Sequence, residues 1–246
     1  MLSEACTAAM VAYGVLMNDG QPTGMELMNK GTIRVQIISP QENGAYSQAA
    51  EDEFSKLFPD EYTFPFKKNN AGKFPPNFEK MFSDGISFWT DAKIEFVDTK
   101  PDIRLYVAQT IANPFGQPSN SYATLPVNDY PSDAFRGNIN LSITFSLYPD
   151  KELSYRDIVE TVIHETGHLF GIMHPHDFAL GEISKINNNG YVSDCTKDEL
   201  VNLASKDHQS FMGYQTSSFE TDFDIAARHF VRTGKMPSFP LPVLTP

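Results

Sequence analysis

Cysteine is nearly absent from this chain. Cys6 and Cys195 are the 2 cysteines in 246 residues, too few for a disulfide scaffold or a four-cysteine zinc site. A chain of this length buries an ample core without them. Basic residues are scarce as well: 19 Lys and Arg stand against 31 Asp and Glu, a net charge of −12. That balance argues against a nucleic-acid partner, which needs a basic patch, and against docking on anionic lipid. No apolar run is long enough for a membrane span. The most apolar stretch, residues 5–17, falls short of the ~18–20 residues required. It also lacks the basic leader of a signal peptide, with Glu4 where a positive charge is expected, so it reads as an N-terminal helix, a signal remnant being the alternative. Internal repeats and low-complexity runs are absent too. What is there is an ordinary globular composition, 41% hydrophobic and 20% charged, which excludes intrinsic disorder.

Local patterns divide the chain. Residues 18–24 are turn-rich. Residues 32–38 alternate and are rich in β-branched side chains, which predicts a strand. Residues 59–77 carry 4 prolines and read as a surface loop. Asn77 then caps a predicted helix to about residue 90. Its apolar positions Phe78, Met81, Phe82, Ile86 and Trp89 recur at helical spacing, and Gly85 weakens it. Strands are predicted at 94–97, 103–107, 122–125 and 139–145, with Pro126 placing the third at a sheet edge. Ser154 caps a strong helix to about residue 170, with Asp157 in its first turn. Loops follow to Thr221, then a last helix to Thr233 and an extended tail with 4 prolines, 236–246.

The chemistry sits at the end of the second helix. His164-Glu165-Thr166-Gly167-His168-Leu169-Phe170-Gly171-Ile172-Met173-His174 fits H-E-x-x-H-x-x-G-x-x-H. Histidines four apart on a helix share a face, so both rings reach one ion. Gly171 allows a left-handed turn out of the helix, which returns His174 as a third ligand. Three protein ligands leave a position open for water, the pattern of a catalytic zinc site. Zinc lowers the pKa of that water to about 7. Glu165 is poorly placed to bind the ion but can take the water's proton and pass it to a leaving amine. Random placement of this chain's own histidines, glutamates and glycines would produce the pattern in roughly 1 of 10⁵ sequences.

These residues resemble the metzincin clan of zinc endopeptidases, and their surroundings resemble its serralysin-like family. Pro175 follows the third histidine in His174-Pro175-His176-Asp177-Phe178, similar to the family's His-Pro-x-Asp and aromatic. Ser210-Phe211-Met212-Gly213-Tyr214 resembles the Met-turn, with Gly213 where serine is common. Weaker likenesses lie at Trp89 and Asp91, Asp102-Ile103-Arg104, Tyr122-Ala123-Thr124-Leu125-Pro126 and Asp224-Ile225-Ala226-Ala227. The resemblance implies an α+β fold: a twisted mixed sheet, two long helices above a cleft, and a small C-terminal subdomain with a final helix. It implies an N-terminal extension, 1–30, before a catalytic domain, 31–246, divided at 171/172. One catalytic zinc is expected on His164, His168, His174 and, in the resting enzyme, Tyr214. Tyr214 would also donate to the oxyanion, as a preorganised hydroxyl can. Met212 would floor the site, its alternative being plain core packing. The strand holding Tyr122, Ala123 and Thr124 would pair with an extended peptide, or else be an ordinary edge.

The glycine- and aspartate-rich calcium-binding repeats of secreted serralysins are missing, which puts calcium in doubt. The expected protein is a monomeric zinc metalloendopeptidase acting on protein or peptide substrates, secreted or delivered into a host cell. The alternatives are a narrow-specificity effector (virulence factor) that cuts one host protein and a non-enzymatic metal-containing module. His176, His208 and His229 are expected to be non-ligands. Asp177 could orient a ligand histidine or cap a turn. Cys6 and Cys195 permit one disulfide, and Cys6 alternatively permits a thiolate latch on the zinc.

Overall fold

A computed structural model describes residues 17–18, 21–22, 24–38, 41–42, 45–46, 77–108, 111–112, 118–119, 121–123, 141–146, 154–175, 210–213 and 220–235. These residues build a mixed α+β fold. Met17–Asn18 (β1) and Gln21–Pro22 (β2) pair antiparallel, Met17 opposite Pro22. Met17, the end of the expected N-terminal helix, is therefore extended, and the rest of that stretch lies outside the described residues. Met25–Met28 (α1) follows. Two more short ladders join Gln41–Glu42 (β4) to Ala45–Tyr46 (β5) and Ile111–Ala112 (β8) to Pro118–Ser119 (β9).

The chain divides into two compact units. One holds residues 30–87 and 92–169. Its centre is a five-stranded sheet in the order β10-β11-β7-β3-β6. Thr32–Ile38 is β3, Lys93–Phe96 is β6, Ile103–Ala108 is β7, Ser121–Ala123 is β10 and Leu141–Ser146 is β11. β11, β7, β3 and β6 run parallel, and β10 closes the edge antiparallel to β11. Period-two alternation puts Ile33 and Val35 of β3 and Ile103 and Leu105 of β7 fully out of solvent.

Parallel neighbours ordinarily need a crossover of a dozen or more residues. The link 97–102 is shorter because β6 and β7 are staggered on either side of β3. β6 lies along Thr32–Val35 and β7 begins at Val35, opposite Ile103. The chain therefore crosses β3 without travelling back along it. Asp102 pins the crossing: its backbone N–H donates to the Arg34 carbonyl at 2.7 Å. Its carboxylate accepts from Arg34 N at 2.8 Å and Arg34 Nη2 at 3.3 Å, and pairs with Lys30 Nζ at 3.2 Å. Burial pushes the Asp102 carboxyl up, but the hydrogen bonds from Arg34 and Lys30 outweigh it and hold the group below its ordinary value.

Phe78–Trp89 (α2) and Tyr155–Leu169 (α3) are the long helices of this part of the chain. α2 buries Phe78, Met81, Phe82, Ile86 and Trp89, the stripe its periodicity predicts. Asn77, at φ +64, opens it by accepting from Met81 N at 3.0 Å. Gly85, which weakens the helix in isolation, is there for contact with α3. A Cβ at Gly85 would stand 2.5 Å from Val162 Cγ1 and 3.2 Å from the Val159 carbonyl. α3 is opened by a capping box, with Ser154 Oγ accepting from Asp157 N at 3.1 Å and Asp157 Oδ2 accepting from Ser154 N at 2.9 Å. It packs against β10 and β11.

The other unit holds residues 1–29, 88–91 and 170–246. Asp222–Thr233 (α4) begins at Thr221 with a second capping box and ends at Gly234, which takes φ +67 and donates its N–H to Phe230 O at 2.7 Å. Phe223, Ala226, Ala227, Phe230 and Val231 form its buried face. Phe88 packs edge-on to Phe211 at 5.2 Å, and the Arg228 guanidinium lies 4.6 Å from its ring centre. Leu27 of α1 is buried, and Gly24 meets Phe170 so closely that a Cβ would stand 2.4 Å from the Phe170 carbonyl oxygen.

Candidate metal centre

The second half of α3 is the most deeply buried part of that helix, with Glu165, Thr166, Gly167, His168 and Leu169 all buried. His164 and His168 lie one helical turn apart, their rings 4.9 Å apart and nearly perpendicular. α3 ends at Leu169. Gly171 then adopts φ +83, the left-handed conformation expected of it, and the chain turns out of the helix. His174 follows. Nitrogens of His164, His168 and His174 all lie within 4.8 Å of one another, a set that can hold a metal ion.

The donor set fits zinc. A tetrahedral ion bound at about 2.0–2.1 Å brings imidazole nitrogens to about 3.4 Å from one another, within reach by small ring rotations. The acid beside the first histidine fits as well. Glu165 is 4% exposed. Burial pushes its carboxyl up to about 8, opposed by a hydrogen bond from Ser121. Ser121 Oγ donates to Glu165 Oε1 at 2.6 Å, while Oε2 is buried with no hydrogen-bond partner among the described residues. An unpaired carboxylate oxygen in a buried position is costly. A cation on the neighbouring imidazoles would favour the ionised form of this carboxyl.

The remaining expected site residues fall unevenly. Met212 lies fully buried in a turn closed by Gly213 N donating to Ser210 O at 2.8 Å. Tyr214 lies outside the described residues. Tyr122 and Ala123 lie in β10, the sheet's end strand, as the edge placement predicts. Thr124, His176, Asp177, His208, Cys6 and Cys195 also lie outside the described residues. His229 sits on α4 and is not part of the histidine cluster.

Two contacts escape sequence reasoning. Ser121 is one position before the edge residues singled out, and nothing local links it to Glu165. Asp224 is the other. It is 0% exposed and organises the turn that carries Met212. Asp224 Oδ1 accepts from Ser210 Oγ at 2.7 Å. Its Oδ2 accepts from Phe211 N at 3.3 Å, Thr221 N at 2.9 Å and Thr221 Oγ1 at 2.9 Å. Ser210 Oγ in turn accepts from Met212 N at 3.0 Å. Burial pushes the Asp224 carboxyl up to about 6, against the pull of these donors. The spacing of Thr221 and Asp224 signals a capping box; the bonds to Ser210 and Phe211 have no local signal.

No family model and no curated protein matches the chain. Among solved structures, that of myroilysin aligns with 84% of this chain and 93% of that chain, at 18% identity and a TM-score of 0.41. Among the described residues, no helix is long and apolar enough to cross a membrane.

Proposed function

We propose that this chain is a zinc-dependent endopeptidase of the metzincin type, with the serralysin-like pattern around its third histidine. The observation that carries it is the convergence of three imidazoles from one H-E-x-x-H-x-x-G-x-x-H segment, with a buried carboxyl next to the first of them. His164, His168 and His174 would hold the ion. When bound, zinc supplies Lewis-acid polarisation of the scissile carbonyl and acidifies a water.

The residues of the chain do the rest. Glu165 takes one proton from the attacking water as the water oxygen bonds to the carbonyl carbon. It returns that proton to the amide nitrogen as the carbon–nitrogen bond breaks. Tyr214 donates its hydroxyl to the carbonyl oxygen as negative charge develops there. The β10 edge, through Tyr122 and Ala123, together with Thr124 after it in sequence, aligns an extended peptide by main-chain hydrogen bonds. Among the described residues β10 pairs only with β11 in its sheet, which supports that role.

The test is Glu165→Gln, assayed for peptide cleavage with zinc content measured on the same sample. Turnover falls by about 10²–10⁴-fold with zinc retained at the wild-type ratio. Near-wild-type cleavage by the zinc-loaded variant would falsify the mechanism. Chelation abolishes activity in the parent protein, and added zinc restores it.

A further inference from the structure

The two oxygens of Glu165 are treated differently by the fold. Oε1 is held by the Ser121 hydroxyl at 2.6 Å, and Oε2 has no hydrogen-bond partner among the described residues. A glutamate has three side-chain torsions, and ordering it costs rotamer freedom. A donor fixed elsewhere in the fold can hold one oxygen and leave the other in a set direction. Ser121 is such a donor. It opens β10 opposite Phe145 of β11, and β10 packs against α3, the helix that carries Glu165. The hydroxyl thus comes from a strand locked into the sheet, in the very strand whose outer edge is proposed to take the peptide. Serine alternates with Ala123 along β10, so the two share a face.

We propose, resting on the peptidase reading, that Ser121 is a positioning residue for Glu165. It anchors Oε1 so that Oε2 is the oxygen that exchanges the proton with water and leaving amine. It also ties the aim of that oxygen to the strand on which the substrate lies. No bond to Ser121 is made or broken in the reaction. Its hydroxyl remains a donor to Oε1 throughout.

Partners that orient a catalytic or ligating group are worth about 10–100-fold when removed. Ser121→Ala lowers kcat by that factor and leaves KM within about twofold. Zinc content stays at the wild-type value, so the loss of kcat is not a loss of metal. Ser121→Thr keeps the hydroxyl in a side chain suited to a strand and recovers most of the loss. Adding Ser121→Ala to Glu165→Gln costs nothing further, because the hydroxyl acts through that carboxyl.

A readout independent of turnover uses the metal-free protein. The carboxyl stretch of Glu165, identified by its loss in Glu165→Gln, shifts in the infrared spectrum of Ser121→Ala and returns in Ser121→Thr. Wild-type kcat in Ser121→Ala overturns the proposal. So does a loss confined to KM, or an additive loss in the double variant. If Glu165→Gln is inactive while Ser121→Ala is not, the positioning role fails and the peptidase stands. If zinc-loaded Glu165→Gln is active, the peptidase reading itself fails.

Discussion

Asp102 and Asp224 are buried carboxylates that each tie a loop to a neighbouring element, one in each compact unit, and opposite chemistry holds them. Asp102, its side chain 8% exposed, faces the cations of Lys30 and Arg34. Asp224 is 0% exposed and its bonded donors are hydroxyls of Ser210 and Thr221 and backbone N–H groups. The donors from Arg34 and Lys30 outweigh the shallower burial of Asp102, whereas the deeper burial of Asp224 outweighs its hydroxyl and backbone donors. Asp102 is therefore held below its ordinary value and Asp224 is pushed up to about 6. A loop can be fastened by a buried acid in either way, but the pH dependence that results has opposite sign.

The largest break in this comparison is truncation. Asp224→Ala strips the acceptor from Ser210, Phe211 and Thr221 at once, inside a dry site. Each buried unpaired donor costs about 1–3 kcal/mol, so the urea midpoint should fall by the equivalent of about 4 kcal/mol. Asp102→Ala leaves cations that solvent still reaches, Arg34 being 43% exposed, and should cost about 2 kcal/mol. A larger loss at Asp102 than at Asp224 would reverse the ranking.

A pH series sharpens the contrast. A folded-state value raised from 3.8 to about 6 means that Asp224 contributes fully below about pH 4. That contribution is lost as pH rises through 6. Measured against Asp224→Asn, the wild-type protein should lose about 3 kcal/mol of relative stability between pH 4 and pH 7. Asp102, with a lowered value, contributes fully above the ordinary carboxylate range and loses that contribution as pH falls through it. Against Asp102→Asn, wild-type stability should therefore fall on acidification below pH 4. Parallel slopes for the two pairs would show that cation and neutral donor act alike here.

Glycines give the smallest effect. Gly24 abuts backbone, with a Cβ 2.4 Å from the Phe170 carbonyl oxygen, whereas the nearest obstacle at Gly85 is the Val162 side chain at 2.5 Å. Backbone cannot turn aside as a side chain can. Gly24→Ala should cost about 2 kcal/mol. Gly85→Ala should cost about 1 kcal/mol or less, because helix propensity returns part of the strain. Thermal unfolding of the two variants checks the order.

The same division between local and distant geometry explains what was legible in advance. α2, α3 and α4 are readable because helical periodicity, Ser154 and Thr221 act within one or two turns. The histidine cluster is readable for the same reason. The residue spacing from His164 to His168 is set by the helix itself, and the exit at Gly171 needs only the freedom of glycine at φ +83. The expected helix ending at Met17 fails at its last residue because Met17 pairs with Pro22 in an antiparallel ladder, and periodicity is blind to pairing.

By itself, then, the sequence determined the histidine motif, the acid beside it, helices α2, α3 and α4, and the edge strand. These are consequences of bond geometry over a few residues. Only tertiary structure decided which partner each acid received: Ser121 for Glu165, Ser210 for Asp224, and Arg34 for Asp102, at separations of 44, 14 and 68 residues. Such pairs depend on strand register and packing, and the free energy of a buried hydrogen bond depends on who arrives at the other end. Gly85 carries the same point. Read along the chain it weakens a helix, and read across the fold it is the space into which Val162 fits.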